Sequence, residues 1–382
     1  MSPRGRTPQR RVLRNDERIL DAALELLADS GWGAFTLVAV GARAGLSKRP
    51  VLDRFASREV LAATLWRQRL ASPLTDALVP LLSGDVESLD TFLRPTPALN
   101  AAAELLVVRQ YEPRVLTAVN RTLSPLLVDA LDPPRPRADA ARTGYLLMLA
   151  LGLLLVWPGS NSAIPDIVPL MTPIRAALAQ RRKPVRQPAR KATHIDGAYP
   201  FDTDDPVLAG LLQATLEQVG TRGFDAATTR AISSAGGLTE GYLFNRYATK
   251  LELVFDASRS SIAGGAGLNE RFMADIEREY SAGMAEAVML RELMRPGREV
   301  QRSINLEQQR LMRHHPALRA SSSEQYRSIV DQVQGTSARW RESSLDADSY
   351  VGLSVGFGAG LLAQLHPTAW NLPYDVVTCA AV

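Results

Sequence analysis

Residues 36–55, TLVAVGARAGLSKRPVLDRF, recur as residues 228–247, TTRAISSAGGLTEGYLFNRY, without a gap and at a constant displacement of 192 residues. Thr36 maps to Thr228, Val40 to Ile232, Gly45 to Gly237, Ser47 to Thr239 and Phe55 to Tyr247. Each copy reads as two short helices joined by a glycine turn. Thr36 and Thr228 are hydroxyl residues at a helix start, where the side-chain oxygen satisfies a free amide of the first turn. Val40 and Ala44, and Ile232 and Gly236, lie four apart and share one helical face. Gly45 and Gly237 fall where the chain must turn left-handed. Leu46 and Leu238 fill the angle between the helices, and Ser47 and Thr239 cap the second helix. Two helices crossed through such a turn form a helix-turn-helix, a motif that sets its second helix in the DNA major groove.

The flanks extend the likeness. ILDAALELLADSGWGAFTLVAVGARAGLSKRPVLDRFASREVL (19–61) and LLQATLEQVGTRGFDAATTRAISSAGGLTEGYLFNRYATKLEL (211–253) each resemble the N-terminal head of the tetracycline-repressor (TetR) family. The resemblance rests on a capped helix, A-G-[VL]-[ST], an aromatic, and a basic residue three positions later. It implies an all-α protein of two TetR-like repeats, each a helix-turn-helix head with a helical regulatory domain. TetR-like proteins dimerise through their last two long helices in a four-helix bundle, and here one chain would supply both partners as an intramolecular pseudo-dimer. The function implied is that of a DNA-binding transcriptional regulator, most often a ligand-responsive repressor. Its partners would be a double-stranded DNA operator and a small-molecule effector held in the helical part.

At 382 residues the chain exceeds the usual size of one domain. The boundaries read as a basic, disordered N-terminal arm (1–14), a first head (15–62), a first regulatory domain (63–180), a basic proline-containing linker (181–204), a second head (205–254) and a second regulatory domain (255–382). The first helix is expected from about Asp16, and its copy from Asp205 as N-cap with Pro206 at the first helical position. Both end at a glycine followed by an aromatic, Gly31-Trp32 and Gly223-Phe224. Prolines cut the rest of the first half into short helices, whereas the second half carries longer runs at about 268–294 and 299–313. No alternating strand pattern of useful length is present.

Net charge is only +4, but basic residues cluster without acids at Arg4, Arg6, Arg10, Arg11 and Arg14 and again at Arg181, Arg182, Lys183, Arg186, Arg190 and Lys191. Such tracts suit an anionic partner. The single Cys379 excludes an internal disulfide or a cysteine zinc site, and with the absence of a signal peptide it points to the cytoplasm. The apolar run Tyr145–Trp157 is too short for a membrane span and reads as a buried helix.

Weaker repetition continues beyond the heads. Gly144 and Gly152 match Gly352 and Gly360 at a displacement of 208, and Pro113 matches Pro316 at 203. Gly352, Gly356 and Gly360 share a helical face, so these five glycines are the expected helix–helix interface.

The two recognition helices have diverged. The first opens Ser47-Lys48-Arg49-Pro50, with Pro50 in the first turn where a missing amide costs little, and its cations suit guanine edges or phosphates. The second opens Thr239-Glu240-Gly241-Tyr242: Glu240 suits cytosine but repels phosphate, and Gly241 permits close approach. By resemblance, phosphate contacts fall to the caps Ser47 and Thr239, to Arg54 and Arg246 where the family has histidine, and to Arg58 and Lys250 at the start of the fourth helix. The family tyrosine is Leu52 in one head and Phe244 in the other. Arg10, Arg11, Arg14, Thr36, Thr228, Tyr242, Phe244 and Asn245 complete the DNA-facing candidates. Leu52, Phe55, Phe244 and Tyr247 nevertheless read as core before contact.

The four histidines (His194, His314, His315, His366) lack metal-site spacing. No nucleophile elbow or phosphate-binding loop occurs, Gly264–Gly267 reads as a loop or helix break, and neither cofactor, metal nor catalytic residue is expected. An effector pocket would be sought among Tyr111, Trp157, Tyr280, Tyr326, Trp340, Gln364 and Trp370, with none singled out. The competing reading is a ligand-binding or protein-interaction module whose heads have lost sequence-specific DNA binding.

Overall fold

The computed structural model describes residues 7–156, 176, 178, 183–184, 201–315 and 345–379. Of the expected linker (181–204) only residues 183, 184 and 201–204 are among these, and Arg4, Arg6, Trp157, His194, Pro316, Tyr326 and Trp340 lie outside them. Among the described residues the regular structure is helical throughout.

The first head is α1 (Thr7–Ala34), α2 (Leu37–Arg43) and α3 (Lys48–Leu52). Ile19, Ala23 and Leu27 form the buried stripe of α1, and Trp32 stacks on Phe35 with ring centroids 5.5 Å apart. Val40 and Val51 close the same core from α2 and α3. Helix α1 starts at Thr7 rather than near Asp16, so residues 7–14 are helical and the expectation of a disordered arm over them is corrected. Arg10 and Arg11 therefore stand on a helix; their side chains lie outside the described residues.

The first half continues through α4 (Arg58–Leu65), a π-helical turn (Trp66–Leu70), α5 (Ala71–Leu82), α6 (Asp90–Leu93), α7 (Pro97–Val108), α8 (Pro113–Leu131) and α9 (Arg137–Val156). Pro97 and Pro113 open their helices, where no amide partner is lost.

The second head is α10 (Pro206–Arg222), α11 (Thr229–Ala235) and α12 (Glu240–Arg246), with Leu211, Leu216, Val219, Ile232 and Leu243 as its core. It continues into α13 (Lys250–Glu279), α14 (Ala282–Met294) and α15 (Glu299–His314), and the chain ends with α16 (Leu345–Leu365) and α17 (Asp375–Thr378). Gly264 to Gly267 sit inside the 30-residue α13, so the expected loop or break there is corrected. The break falls instead at Tyr280-Ser281, where Ser281 accepts from the Met284 amide and caps α14.

Helix α9 is long and apolar enough by composition to cross a membrane, but 83% of that window is buried inside the protein, against α16 above all. The two pack antiparallel at backbone contact. A β-carbon on Gly152 would meet the Ser354 carbonyl oxygen at 1.7 Å, and one on Gly358 would meet the Met148 carbonyl oxygen at 1.7 Å. The contacting pair on α16 is thus Ser354 and Gly358, four apart. Gly352 is exposed, Gly356 comes no nearer than 4.0 Å to Leu293, and Gly360 lies beside the Arg302 stem. Gly144 faces the Tyr374 ring. The expected five-glycine interface is therefore corrected: Gly152 belongs to this seam, and Gly358 takes the place assigned to Gly352, Gly356 and Gly360.

Candidate nucleic-acid interface

Local chemistry positions the recognition helices in the same way in both heads. Thr36 accepts from the Ala39 amide and Thr228 from the Ala231 amide, both at 3.1 Å. Gly45 and Gly237 adopt φ of 63° and 68°, and the next leucine amide bonds back at 2.8 Å, Leu46 to Gly41 and Leu238 to Ser233. The third helix thus follows the same turn in each head.

Thr239 caps α12 by accepting from the Tyr242 amide at 3.2 Å. Ser47 makes no such bond, which corrects the expectation that it caps through its side chain. The reason is Pro50: the cap acts on the amide three residues on, and proline has none. Ser47 is exposed and its hydroxyl is left facing solvent.

The buried and exposed residues of the recognition helices alternate in register. Phe55 and Tyr247 are 7% and 8% exposed and belong to the cores. Leu52 and Phe244 are 42% and 52% exposed, so the expectation that they are core is corrected. Lys48, Arg49, Asp53, Gly241, Asn245 and the two arginines Arg54 and Arg246 are exposed alongside them, with Pro50, Tyr242 and Glu240 half-buried.

Glu240 does not project freely. Thr229 donates its hydroxyl to the Glu240 carboxylate at 2.8 Å, drawing it back toward α11, and the carboxylate sits at the positive end of α12. Its repulsion of a polyanion is thereby reduced.

Arg54 pairs with Asp16 at 3.2 Å, while Arg246 reaches Asp205 at 3.5 Å and donates to the Tyr242 hydroxyl oxygen at 3.1 Å. Both guanidiniums remain on the surface. Arg58 and Lys250 are engaged inward instead. Arg58 lies 4.3 Å over the Trp32 ring and pairs with Glu112 at 3.3 Å. Lys250 lies 4.2 Å over the Phe224 ring and donates to the carbonyls of Phe224 (2.7 Å) and Ala227 (2.9 Å). Burial lowers the Lys250 pKa, against the opposing field of Asp225 and Glu307. In both heads the basic residue of the fourth helix thus pins the aromatic that follows the first helix.

Behind the heads, α7 and α15 correspond at the displacement of 203, so that Glu104 answers to Glu307 and Tyr111 to His314. Each reaches the opposite head. The Tyr111 hydroxyl donates to the Gly220 carbonyl at 3.4 Å, and its ring covers Gly223, where a β-carbon would meet it at 2.8 Å. His314 covers Gly31, where a β-carbon would meet it at 2.5 Å, and its two ring nitrogens face the Asp29 carbonyl at 3.3 Å and Glu104 at 2.9 Å. Gly31 and Gly223 are themselves equivalent positions, with φ of 72° and 78°. Between these clasps Arg310 faces three carboxylates, Glu307 at 2.6 Å, Asp225 at 3.3 Å and Glu104 at 3.6 Å, and the Trp32 amide donates to Glu104 at 3.1 Å. Burial raises the Glu307 pKa. The Glu104 carboxyl is also penalised by burial, but His314, Arg310 and Arg313 outweigh it and hold its pKa below the ordinary range. Sequence reasoning missed this network because α7 and α15 follow a different displacement from the heads. Tyr111, one of the effector-pocket candidates, is occupied here.

A family model described as bacterial regulatory proteins, tetR family, matches residues 19–65 and again 211–257, two windows themselves 192 residues apart. The chain is a TetR-family regulator with two TetR-like halves. As such it is a DNA-binding transcriptional regulator of all-helical, tandem build. Among curated proteins none matches the chain. Among the described residues no three His, Cys, Asp or Glu side chains converge as a metal site.

Proposed function

We propose that the chain is a single-chain pseudo-dimer that binds an asymmetric, two-half-site operator as a repressor and answers to a small-molecule effector. The observation that carries this is the pair of heads, alike in fold and turn geometry but unlike on the surface of the third helix. Head one presents Lys48, Arg49 and a free Ser47 hydroxyl. Head two presents Gly241, Asn245 and a tethered Glu240. Helix-turn-helix dimers read half-sites about one helical turn apart, with protein symmetry mirrored in the operator. Heads that differ favour half-sites that differ.

The α9–α16 seam supports the pseudo-dimer. Its two helices come from equivalent places in the two halves, run antiparallel and touch backbone to backbone, as a dimer bundle does. The crossed clasps at Gly31 and Gly223 support a fixed distance between heads. An effector acts in this scheme by altering that distance, so the helical body that carries Glu104 and Arg310 is where its binding must be felt. Arg10, Arg11 and Arg14 on α1, the caps Thr36 and Thr228, and the exposed Arg54 and Arg246 add phosphate contacts that set register without reading bases. Arg58 and Lys250 act mainly by holding each head together. A regulator of this kind works in the cytoplasm.

The test is direct titration of DNA. Binding to a selected operator is expected to exceed nonspecific binding by about a thousandfold or more, with affinity falling steeply as salt rises. Equal affinity for operator and random duplex would favour the reading in which the heads no longer recognise sequence.

A further inference from the structure

Leu52 and Phe244 are equivalent positions, and both expose a large apolar side chain on a helix that otherwise buries its apolar residues. Single exposed apolar residues are ordinary, but this exposure recurs. Most neighbouring positions of the two helices have changed chemistry: Lys48 to Glu240, Arg49 to Gly241, Pro50 to Tyr242 and Asp53 to Asn245, while only the arginine pair Arg54 and Arg246 is kept among the exposed polar positions. Exposed apolar residues elsewhere in the heads do not recur, since Val38 answers to Arg230 and Val207 to Asn15.

Helical spacing sets Phe244 on the face of the first turn, three residues from Gly241 and four from Glu240. That face is cleared around it. Glu240 is drawn back onto Thr229, and a β-carbon on Gly241 would find only the Thr239 hydroxyl oxygen at 3.7 Å. Phe244 is then the projecting group of head two. In head one, Leu52 stands four residues from Lys48 on the corresponding face.

Neither side chain can donate or accept a hydrogen bond, so neither serves a phosphate or a polar base edge. The group of the major groove that suits such a surface is the C5-methyl of thymine. We propose that Phe244 and Leu52 are specificity residues, each packing on a thymine methyl in its own half-site. This rests on the operator-binding function above. It adds that the half-site of head two owes its sequence chiefly to Phe244 and Asn245, with Asn245 suited to an adjacent adenine. The half-site of head one combines a thymine with a guanine read by Lys48 or Arg49.

The experiment replaces each thymine of a selected operator, one at a time, by deoxyuridine, which pairs identically but lacks the methyl. Wild type is expected to lose about fourfold in affinity at one thymine or more per half-site, the equivalent of one buried methylene. The loss in one half-site should vanish in Phe244→Ala, and that in the other in Leu52→Ala. Both side chains are surface groups, and unchanged thermal melting of the variants separates lost contact from lost fold. Deoxyuridine tolerated at every thymine, or penalties unchanged in the variants, overturns the proposal while leaving operator binding intact. Failure to enrich any operator overturns both.

Discussion

At the scale of single residues, side chains that look alike in the recognition motif do different jobs. Arg54 and Arg246 lie on the surface, whereas Arg58 and Lys250 each cover an aromatic of their own head, the buried Trp32 and the partly buried Phe224. Lys250→Ala removes a cation–π contact and two carbonyl hydrogen bonds, and is expected to lower the stability of the second head by about 2 kcal/mol in a denaturant titration. Arg246→Ala should change stability by less than about 1 kcal/mol and act on DNA affinity instead. Pro50→Ala returns an amide to the Ser47 hydroxyl and is expected to raise stability by about 1 kcal/mol.

Glu104 gives a pH signature. A carboxylate whose folded pKa lies below its unfolded value stabilises the fold above the ordinary carboxylate range, and that contribution is lost as pH falls through the folded value. Glu104→Gln should therefore be destabilised against wild type at neutral pH, with the gap narrowing as denaturant titrations move to acid pH. At neutral pH the loss should approach about 3–5 kcal/mol, because Arg310 and Arg313 are left buried without this partner.

Between elements, the decisive groups are glycines, but not the ones that periodicity singles out. Gly352, Gly356 and Gly360 form a visible stripe, yet α16 meets α9 through Ser354 and Gly358. Serine among glycines does not stand out in a pattern search, although at i, i+4 spacing it completes the second small-residue face. Gly152→Ala is expected to force the helices apart and cost about 3 kcal/mol or more, whereas Gly352→Ala on the exposed face should be neutral or stabilising; thermal melts of the two distinguish the faces. The duplicated heads, their turns and the caps Thr36, Thr228 and Thr239 were legible because each depends on residues within a short stretch, and Ser47 departs from the pattern only through Pro50. The exposure of Leu52 and Phe244 was not, since apolar character alone does not tell which side of a helix the core occupies. The crossed clasps were illegible for another reason. They join positions related by different displacements, and only the packing brings Tyr111 to Gly223 and His314 to Gly31.

For the whole molecule, the covalent link makes the heads a unit whose spacing does not depend on concentration. Hydrodynamic mass of the operator complex is expected to give one chain per duplex. Two chains on one two-part operator would mean that each chain commits only one head. The central claim, that both heads bind DNA and do so differently, is tested most directly by selecting bound sites from a random DNA pool with wild type, Arg54→Ala and Arg246→Ala in parallel. A two-part motif of unlike halves is expected, with each variant weakening enrichment of one half. A perfect palindrome, or a motif that only one of the two variants disturbs, would contradict it.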